Sequence, residues 1–380
     1  MKTIYLDHGS TSFPKAPGVG KAMMELLSEG GFNIGRGGYE SAYSLAERVL
    51  GIRKQVSDFF GFETDSNVIF TPNVTFSLNF LISGLLKAGD HVITTTMEHN
   101  AVARPLEAAK RRGVEISYAQ ADAMGGVEPE QIEALIRSNT RVVVMLHGSN
   151  VSGTLLPISN VGKICKQKGI FFAVDAAQTA GVVPIDMKAM GIDALAFTGH
   201  KGLLGPQGIG GLLLVDELAD VVDPMLFGGT GSLSDSLEMP GFLPDKLEPG
   251  TLNLPGIIGL SAALDYINEV GIDHIRSTEL SLALRFLESL ADRNDVKVIG
   301  RTDLTNRCPI VSLDFLNRDN AEISYRLDQE FGIMTRCGLH CAPLAHRSLG
   351  TFPSGTVRFS FGHTNTAEEV DRTIEAINKI

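Results

Sequence analysis

The sequence predicts an α/β fold: a mostly parallel central sheet covered by helices, followed by a smaller C-terminal α+β unit. Two patterns and one bound carry that expectation. From about residue 65 to 215, short β-branched or apolar runs alternate with amphipathic stretches, as in a parallel sheet whose crossovers are helices. After Pro255 the order changes to two long helical stretches and then sparser strand runs. At 380 residues and 43% hydrophobic content, the chain has enough apolar material to bury a large core in two unequal units.

Taken in order, residues 41–60 place Leu45, Val49, Ile52, Val56 and Phe59 at helical spacing, with Gly61 set to end the helix. Strands are expected at 67–71, 91–95, 115–118, 141–146, 171–174, 194–197 and 210–215, with helices between most of them. Segment 228–250, rich in Gly, Ser and Pro, reads as an excursion from the core. Helices are then expected at 257–270 and 272–293, strands near 296–299, 310–315 and 356–361, and a terminal helix at 366–380. The division is drawn at 1–250 and 251–380, with about the first 14 residues expected to pack against the smaller unit.

Thirty-three basic residues against 44 acidic ones give a formal charge of −11, which opposes attraction to nucleic acid or to an anionic membrane. No apolar run approaches membrane-spanning length, and the first residues lack a secretory apolar core, so a soluble, cytoplasmic protein is expected. Four cysteines, Cys165, Cys308, Cys337 and Cys341, are too few for a disulfide framework in a chain this long.

The chemistry concentrates at the expected strand ends. Thr198-Gly199-His200-Lys201 follows the apolar run 194–197 and leads into a glycine-rich segment. A lysine flanked by a hydroxyl, an imidazole and close backbone suits Schiff-base chemistry beside a bound phosphate, such as pyridoxal phosphate; the alternative is a surface lysine on a turn. Asp175 ends the strand run 171–174, where a carboxylate can face a pyridinium nitrogen, or simply cap a helix. Gln178, about one turn on, can reach the phenolic oxygen of such a ring.

The run 71–79 enters a helix whose first turn, with the amides of Val74 and Thr75 and the Thr75 hydroxyl, can cradle a phosphate, or Thr75 can cap. His99 lies in another strand-end loop, either stacking on a planar cofactor or solvated. Arg358 alternates with Val357 and Phe359, so it faces either solvent or a cleft in which it clamps a substrate carboxylate.

The segment 336–343, Arg-Cys-Gly-Leu-His-Cys-Ala-Pro, brings two thiols and an imidazole into one turn-forming stretch. A thiolate beside cationic groups is a nucleophile at neutral pH. Zinc held by Cys337, His340, Cys341 and His346 is the competing reading, and a pair of inert cysteines the plainest one.

Together, Tyr5-Leu6-Asp7, Glu98-His99-Asn100, Ser149 to Gly153, Val174 to Gln178, Gly199-His200-Lys201, Glu248 to Thr251, 336–343 and Val357-Arg358 resemble the cysteine desulfurase and selenocysteine lyase family, class V aminotransferases of the fold-type I pyridoxal-phosphate enzymes. The likeness runs nearly the whole length. It implies a Schiff base on Lys201, Asp175 at the ring nitrogen, His99 stacked on the ring, Gln178 at the phenolic oxygen, and Thr75, Thr198 and His200 at the phosphate. It also implies a homodimer in which Thr251 reaches the neighbouring subunit's phosphate, and a substrate carboxylate met by Asn150 and Arg358.

Cys341 then matches the persulfide-forming cysteine of the short-loop branch, which usually works with a dedicated sulfur acceptor. The implied reaction converts L-cysteine to L-alanine. The alternatives are release of selenium from L-selenocysteine or, further off, an aminotransferase. Two departures stand out: Cys337 where the branch commonly has a hydroxyl residue, and Leu339 where many relatives have histidine.

Overall fold

The structure, a computed structural model, describes residues 3–35 and 37–380; Met1 and Lys2, part of the expected N-terminal packing segment, and Arg36 lie outside the described residues. The chain opens with a two-residue strand, β1 (Ile4–Tyr5). Seven strands follow: β2 (Val68–Thr71), β3 (His91–Thr95), β4 (Glu115–Ala119), β5 (Thr140–Leu146), β6 (Phe171–Asp175), β7 (Ala194–Thr198) and β8 (Gly210–Leu214). They form one sheet in the order β2-β8-β7-β6-β5-β3-β4. Pairing is parallel from β4 across to β7, and β8 runs antiparallel to both of its neighbours.

The central strands β5 to β8 are almost wholly buried. Their apolar runs show no alternation because helices cover both faces, which divides the surrounding core into two hydrophobic clusters. The helix Glu40–Phe59 packs through Leu45, Val49, Ile52 and Val56 on one of those faces, as its spacing predicts.

The C-terminal part begins with helices Leu254–Val270 and Ile272–Glu288 and builds a second sheet. Its strands are β9 (Val296–Ile299), β10 (Ile310–Phe315), β12 (Arg336–Gly338) and β13 (Thr356–Ser360), ordered β12-β13-β10-β9 and antiparallel throughout; β11 (Ile333–Met334) lies outside it and pairs with β1. One face, with Val311, Leu313, Val357 and Phe359, packs on the helices Ile272–Glu288, Asn320–Phe331 and Ala367–Lys379. The opposite face turns to the large sheet: Ser312 Oγ donates to the Val151 carbonyl at 2.5 Å, and Arg358 Nη1 to the Asn150 carbonyl at 3.2 Å.

The short pairing of β1 with β11 ties the N-terminal residues to this second sheet, and the Gly9 amide donates to Ser360 Oγ at 2.8 Å. The next residues cross to the large sheet, where the His200 carbonyl accepts from the Ser12 amide at 2.8 Å and Lys15 Nζ at 2.9 Å. The N-terminal segment therefore straps the two sheets together directly over the turn that carries Lys201.

The excursion 228–250 is pinned at its far end. Glu248 pairs with Arg53 through two bonds of 2.8 and 2.6 Å and accepts from the Phe70 amide at 2.5 Å, both side chains being buried. Among the described residues, no helix is long and apolar enough to cross a membrane.

Candidate active site

Four loops that leave the carboxyl ends of parallel strands meet at one edge of the large sheet, the place where open α/β sheets bind ligands. β3 leads to His99, β5 to Asn150, β6 ends on Asp175, and β7 ends on Thr198 before the Lys201 turn. Two glycines let the last two come together. A Cβ on Gly202 would sit 2.6 Å from the Ala180 carbonyl, and Gly181, with φ of 83°, abuts Gly202 in return.

Burial depresses the Lys201 amine to about 8; the Asp175 carboxylate opposes that shift, and the Arg358 and Arg336 guanidiniums add to it. Burial raises the Asp175 carboxyl, whose Oδ1 accepts from the Ala177 amide at 2.8 Å, while the Lys201 charge pulls the other way. A buried carboxylate of this kind is best compensated by a cation facing it.

Glu98, part of the motif at 98–100, is buried within reach of the Asp175 charge. Its carboxyl accepts from Thr95 Oγ1 at 2.6 Å and from the Leu146 amide at 3.1 Å, and burial, with Asp175 adding, pushes it up to about 8. Glu98 is therefore largely uncharged at neutral pH.

His99 caps the helix Asn100–Arg111 through Nδ1, which accepts from the Ala101 amide at 3.0 Å. That bond puts the hydrogen of the neutral ring on Nε2. Burial, reinforced by Lys201, Arg336 and Arg358, lowers the ring to about 4, so it is uncharged at neutral pH. His200 is likewise lowered to about 4 by burial and by Lys201. Buried Thr198 Oγ1 and His200 Nδ1 have no protein partner.

A planar cofactor with a phosphate and a pyridine nitrogen fits these groups: two orphaned polar atoms of the Lys201 turn for the phosphate, Asp175 for the ring nitrogen, His99 for the ring face, Lys201 for an aldehyde. Gln178 lies beside them, with its amide donating to the Gly9 carbonyl at 2.9 Å.

The expected phosphate cradle on the helix Val74–Leu85 is corrected in part. Asn73 caps that helix, its Oδ1 accepting from the Thr75 amide at 3.0 Å and the Phe76 amide at 3.3 Å, so the Thr75 amide is already committed. The exposed Thr75 hydroxyl and the Val74 amide remain as the groups of that turn to consider. The helix starts one loop beyond β2, and Thr71 at the end of β2 shares a row with Gly210 and Thr198. Thr251 is not among the clustered residues; it is exposed and lines a separate groove with Thr71, Pro72 and Phe76.

On the opposite wall, Arg358 is fully buried rather than facing solvent. Its Nη2 donates to Asp7 Oδ1 at 2.8 Å and Ser10 Oγ at 2.7 Å, its Nη1 to the Asn150 carbonyl, and its Nε has no partner. Arg336 lies across from Arg358 in the β12–β13 register; it donates to Ser10 Oγ at 3.1 Å and approaches Cys341 Sγ at 3.6 Å. Asp7, Ser10 and Arg336 thus belong to the site. Asp7 and Arg336 stood in the sequence motifs, but Ser10 carried no signal because nothing local reveals that it will bridge two distant arginines.

Cys341 is exposed and has φ of 57°, next to His340 with φ of 49°. Its carbonyl accepts from the Asn100 amide at 2.7 Å, so the thiol loop docks on the helix that His99 caps. Cys337 pairs with Val357 in the register, on the face packed against the helices, and Arg336 is on the other. Burial and the Asp319 charge raise the Cys337 thiol. The two thiols therefore lie on different sides of β12. His340 Nε2 and His346 Nδ1 bond Thr356 and Thr351 at 3.0 and 2.7 Å. Among the described residues, no group of three or more His, Cys, Asp or Glu is placed to hold a metal ion.

The family model described as Aminotransferase class-V matches residues 4–373. The chain belongs to the class-V aminotransferase family. Among curated relatives, a probable cysteine desulfurase from Methanothermobacter thermautotrophicus is 34% identical over 99% of this chain and 94% of its own length. Another from Pyrococcus abyssi is 34% identical over 100% of this chain and 94% of its own. Among solved structures, the apo cysteine desulfurase of Thermococcus onnurineus has a TM-score of 0.93 at 32% identity, covering 100% of this chain and 94% of that one. A cysteine desulfurase from Escherichia coli has a TM-score of 0.89 at 29% identity, covering 99% and 94%. Membership of this family makes the chain an enzyme of the pyridoxal-phosphate-dependent class, on the fold that the sequence predicts.

Proposed function

We propose that this enzyme is a cysteine desulfurase: it moves the sulfur of L-cysteine to Cys341, leaving a persulfide for a protein acceptor and releasing L-alanine. The observation that carries the reading is the cation shared by two unlike nucleophiles: the Arg336 charge acts on the burial-depressed Lys201 amine, and its guanidinium approaches Cys341 Sγ at 3.6 Å. The larger unit, 1–250, holds the cofactor, and residues 251–380 bring the thiol to it.

Pyridoxal phosphate, when bound, supplies an aldehyde for amines and a ring that accepts the electron pair left at the substrate α-carbon. Thr198, His200 and the first turn after Asn73 hold its phosphate, Asp175 its ring nitrogen, Gln178 its phenolic oxygen, and His99 its face. Arg358 and Asn150 receive the substrate carboxylate. Lys201, once displaced as the free amine, removes the α-proton and later returns it, for which an amine near 8 is well matched to neutral pH. Cys341 Sγ attacks the substrate sulfur: an S–S bond forms, the carbon–sulfur bond breaks, and L-cysteine plus the thiol become L-alanine plus the persulfide.

Homodimer formation is part of the proposal. The excursion and the two residues before it expose Leu226, Phe227 (76%), Leu233, Leu237 (106%) and Phe242, an apolar stretch that a second copy would cover. The same contact would carry Thr251 to the neighbouring subunit's phosphate.

The deciding experiment is product analysis with L-cysteine and with L-selenocysteine, for the native enzyme and for Cys341→Ala. Alanine and protein-bound sulfane sulfur from cysteine, lost in Cys341→Ala, is the expected result. Turnover of selenocysteine alone assigns selenium release instead, and formation of a keto acid assigns transamination.

A further inference from the structure

Asn150 stands at a junction between Arg358 and the Cys341 loop. Its side chain is buried, its Nδ2 donates to the His340 carbonyl at 2.7 Å, and its Oδ1 has no partner. A primary amide carries two N–H groups, so the bond to His340 leaves one to give. Its own carbonyl is held by Arg358, whose Nε is also without a partner. The free donors of Asn150 and Arg358 therefore belong to neighbouring residues.

The bond to His340 falls on a strained point. His340 and Cys341 are consecutive non-glycine residues in the left-handed region, a conformation that persists only where the surroundings hold it. The holders are the Asn150 amide on the His340 carbonyl, the Asn100 amide on the Cys341 carbonyl and the Thr356 hydroxyl at the His340 ring. Of these, Asn150 is the one whose backbone carbonyl is also held by Arg358.

We propose that Asn150 is a positioning residue that couples substrate occupancy to the Cys341 loop: one amide N–H keeps the loop docked, while the other, with Arg358, takes the substrate carboxylate. This rests on the desulfurase reading given above. A carboxylate bound to the second N–H fixes the amide plane and so strengthens the first bond, and by linkage a docked loop strengthens carboxylate binding. Cys341 is then held in place while sulfur is being transferred. Departure of alanine loosens the loop so that the persulfide can move to its acceptor.

The test is hydrogen exchange by mass spectrometry on peptides covering 338–342 in the cofactor-loaded enzyme, with and without saturating L-alanine. Asn150→Asp keeps the shape but lacks both N–H groups, and Asn150→Ala separates that loss from the added charge. Native enzyme should exchange this segment severalfold more slowly once alanine is added. Both variants should exchange it about fivefold faster without ligand, as expected for one lost buried hydrogen bond, and should not respond to alanine. Peptides from β5, unchanged in the variants, report that the fold is intact.

Equal ligand-free exchange in Asn150→Ala and native enzyme overturns the anchor, and a native loop indifferent to alanine, or an undiminished response in Asn150→Ala, overturns the coupling. If the native enzyme makes no alanine from cysteine, the desulfurase reading falls, while the ligand-free comparison still decides whether Asn150 holds the loop.

Discussion

The two halves of the site are built on opposite physical plans. The half around Lys201 stands on strand ends of a buried sheet, and its groups are tuned by desolvation: the lysine is pulled down, the carboxyls of Asp175 and Glu98 are pushed up, and the imidazoles of His99 and His200 are kept neutral. The half around Cys341 is a turn in the left-handed region that exposes the thiol between buried neighbours and is held by a few bonds. Burial suits a group that must change protonation state while staying in place. Exposure suits a group that must meet a second protein. The difference implies that damage on the first side removes cofactor binding and proton transfer together, whereas damage on the second stops sulfur transfer and leaves the cofactor in place.

The largest expected effect is on the first side. Lys201→Ala should lower turnover of L-cysteine by about three orders of magnitude or more, because it removes both the covalent anchor and the base. Borohydride treatment of the loaded native enzyme should label Lys201, read by peptide mass spectrometry, and an unlabelled Lys201 would break the comparison at its root. The pH profile sharpens it: with the amine near 8, proton removal from the substrate should climb about tenfold per unit up to that pH and level off above it, in single-turnover measurements.

On the loop side, Cys341→Ser should abolish persulfide formation while leaving cofactor content and its visible absorption at native levels. Loss of cofactor in that variant would show that the two halves are not separable.

Stability divides the same way. Glu248 and Arg53 form a buried two-bond pair on the sheet side, and Glu248→Ala leaves a buried guanidinium without its partner, a change expected to cost about 3–5 kcal/mol in denaturant unfolding. The buried imidazoles set an acid limit. His147 and His340 are lowered by burial to about 3 and about 2, so the unfolded chain takes up protons below about 6.5 that the folded chain refuses. Stability contributed by these neutral rings is present above that pH and is lost as pH falls below it, so Tm should decline from pH 6.5 toward 4.

Much of the sheet side was legible in the sequence because parallel strands, buried on both faces, leave continuous apolar runs, and because their chemistry sits directly after those runs: Asp175 closes 171–174, and Lys201 follows 194–197. β12 and β11 gave no such signal, being two or three residues long and held by partners far away in sequence. Asn73 escaped as the cap of its helix because the adjacent Thr75 offered the same chemistry. Ser10 and Glu98 acquire their roles only from contacts that cross tens to hundreds of residues, to Arg358, Arg336 and Leu146.

The smallest expected effect concerns the second thiol. The sequence places Cys337 four residues before Cys341, a spacing that leaves a resolving thiol or a disulfide switch open. Strand alternation decides otherwise, because Arg336 points to the site and its neighbour Cys337 must point to the helices, in register with core residue Val357. Joining the two sulfurs would require β12 to leave β13 or to turn over, exposing apolar surface that the small sheet now buries. Cys337→Ser should therefore change cysteine turnover by no more than about twofold and leave persulfide on Cys341 at native levels, since the half-buried side chain faces away from the site and the change acts on local packing alone. A Cys337–Cys341 disulfide recovered from native enzyme after turnover would show that the loop half of the site unfolds β12 during the cycle, and the contrast between a fixed half and a moving half would then extend into the small sheet itself.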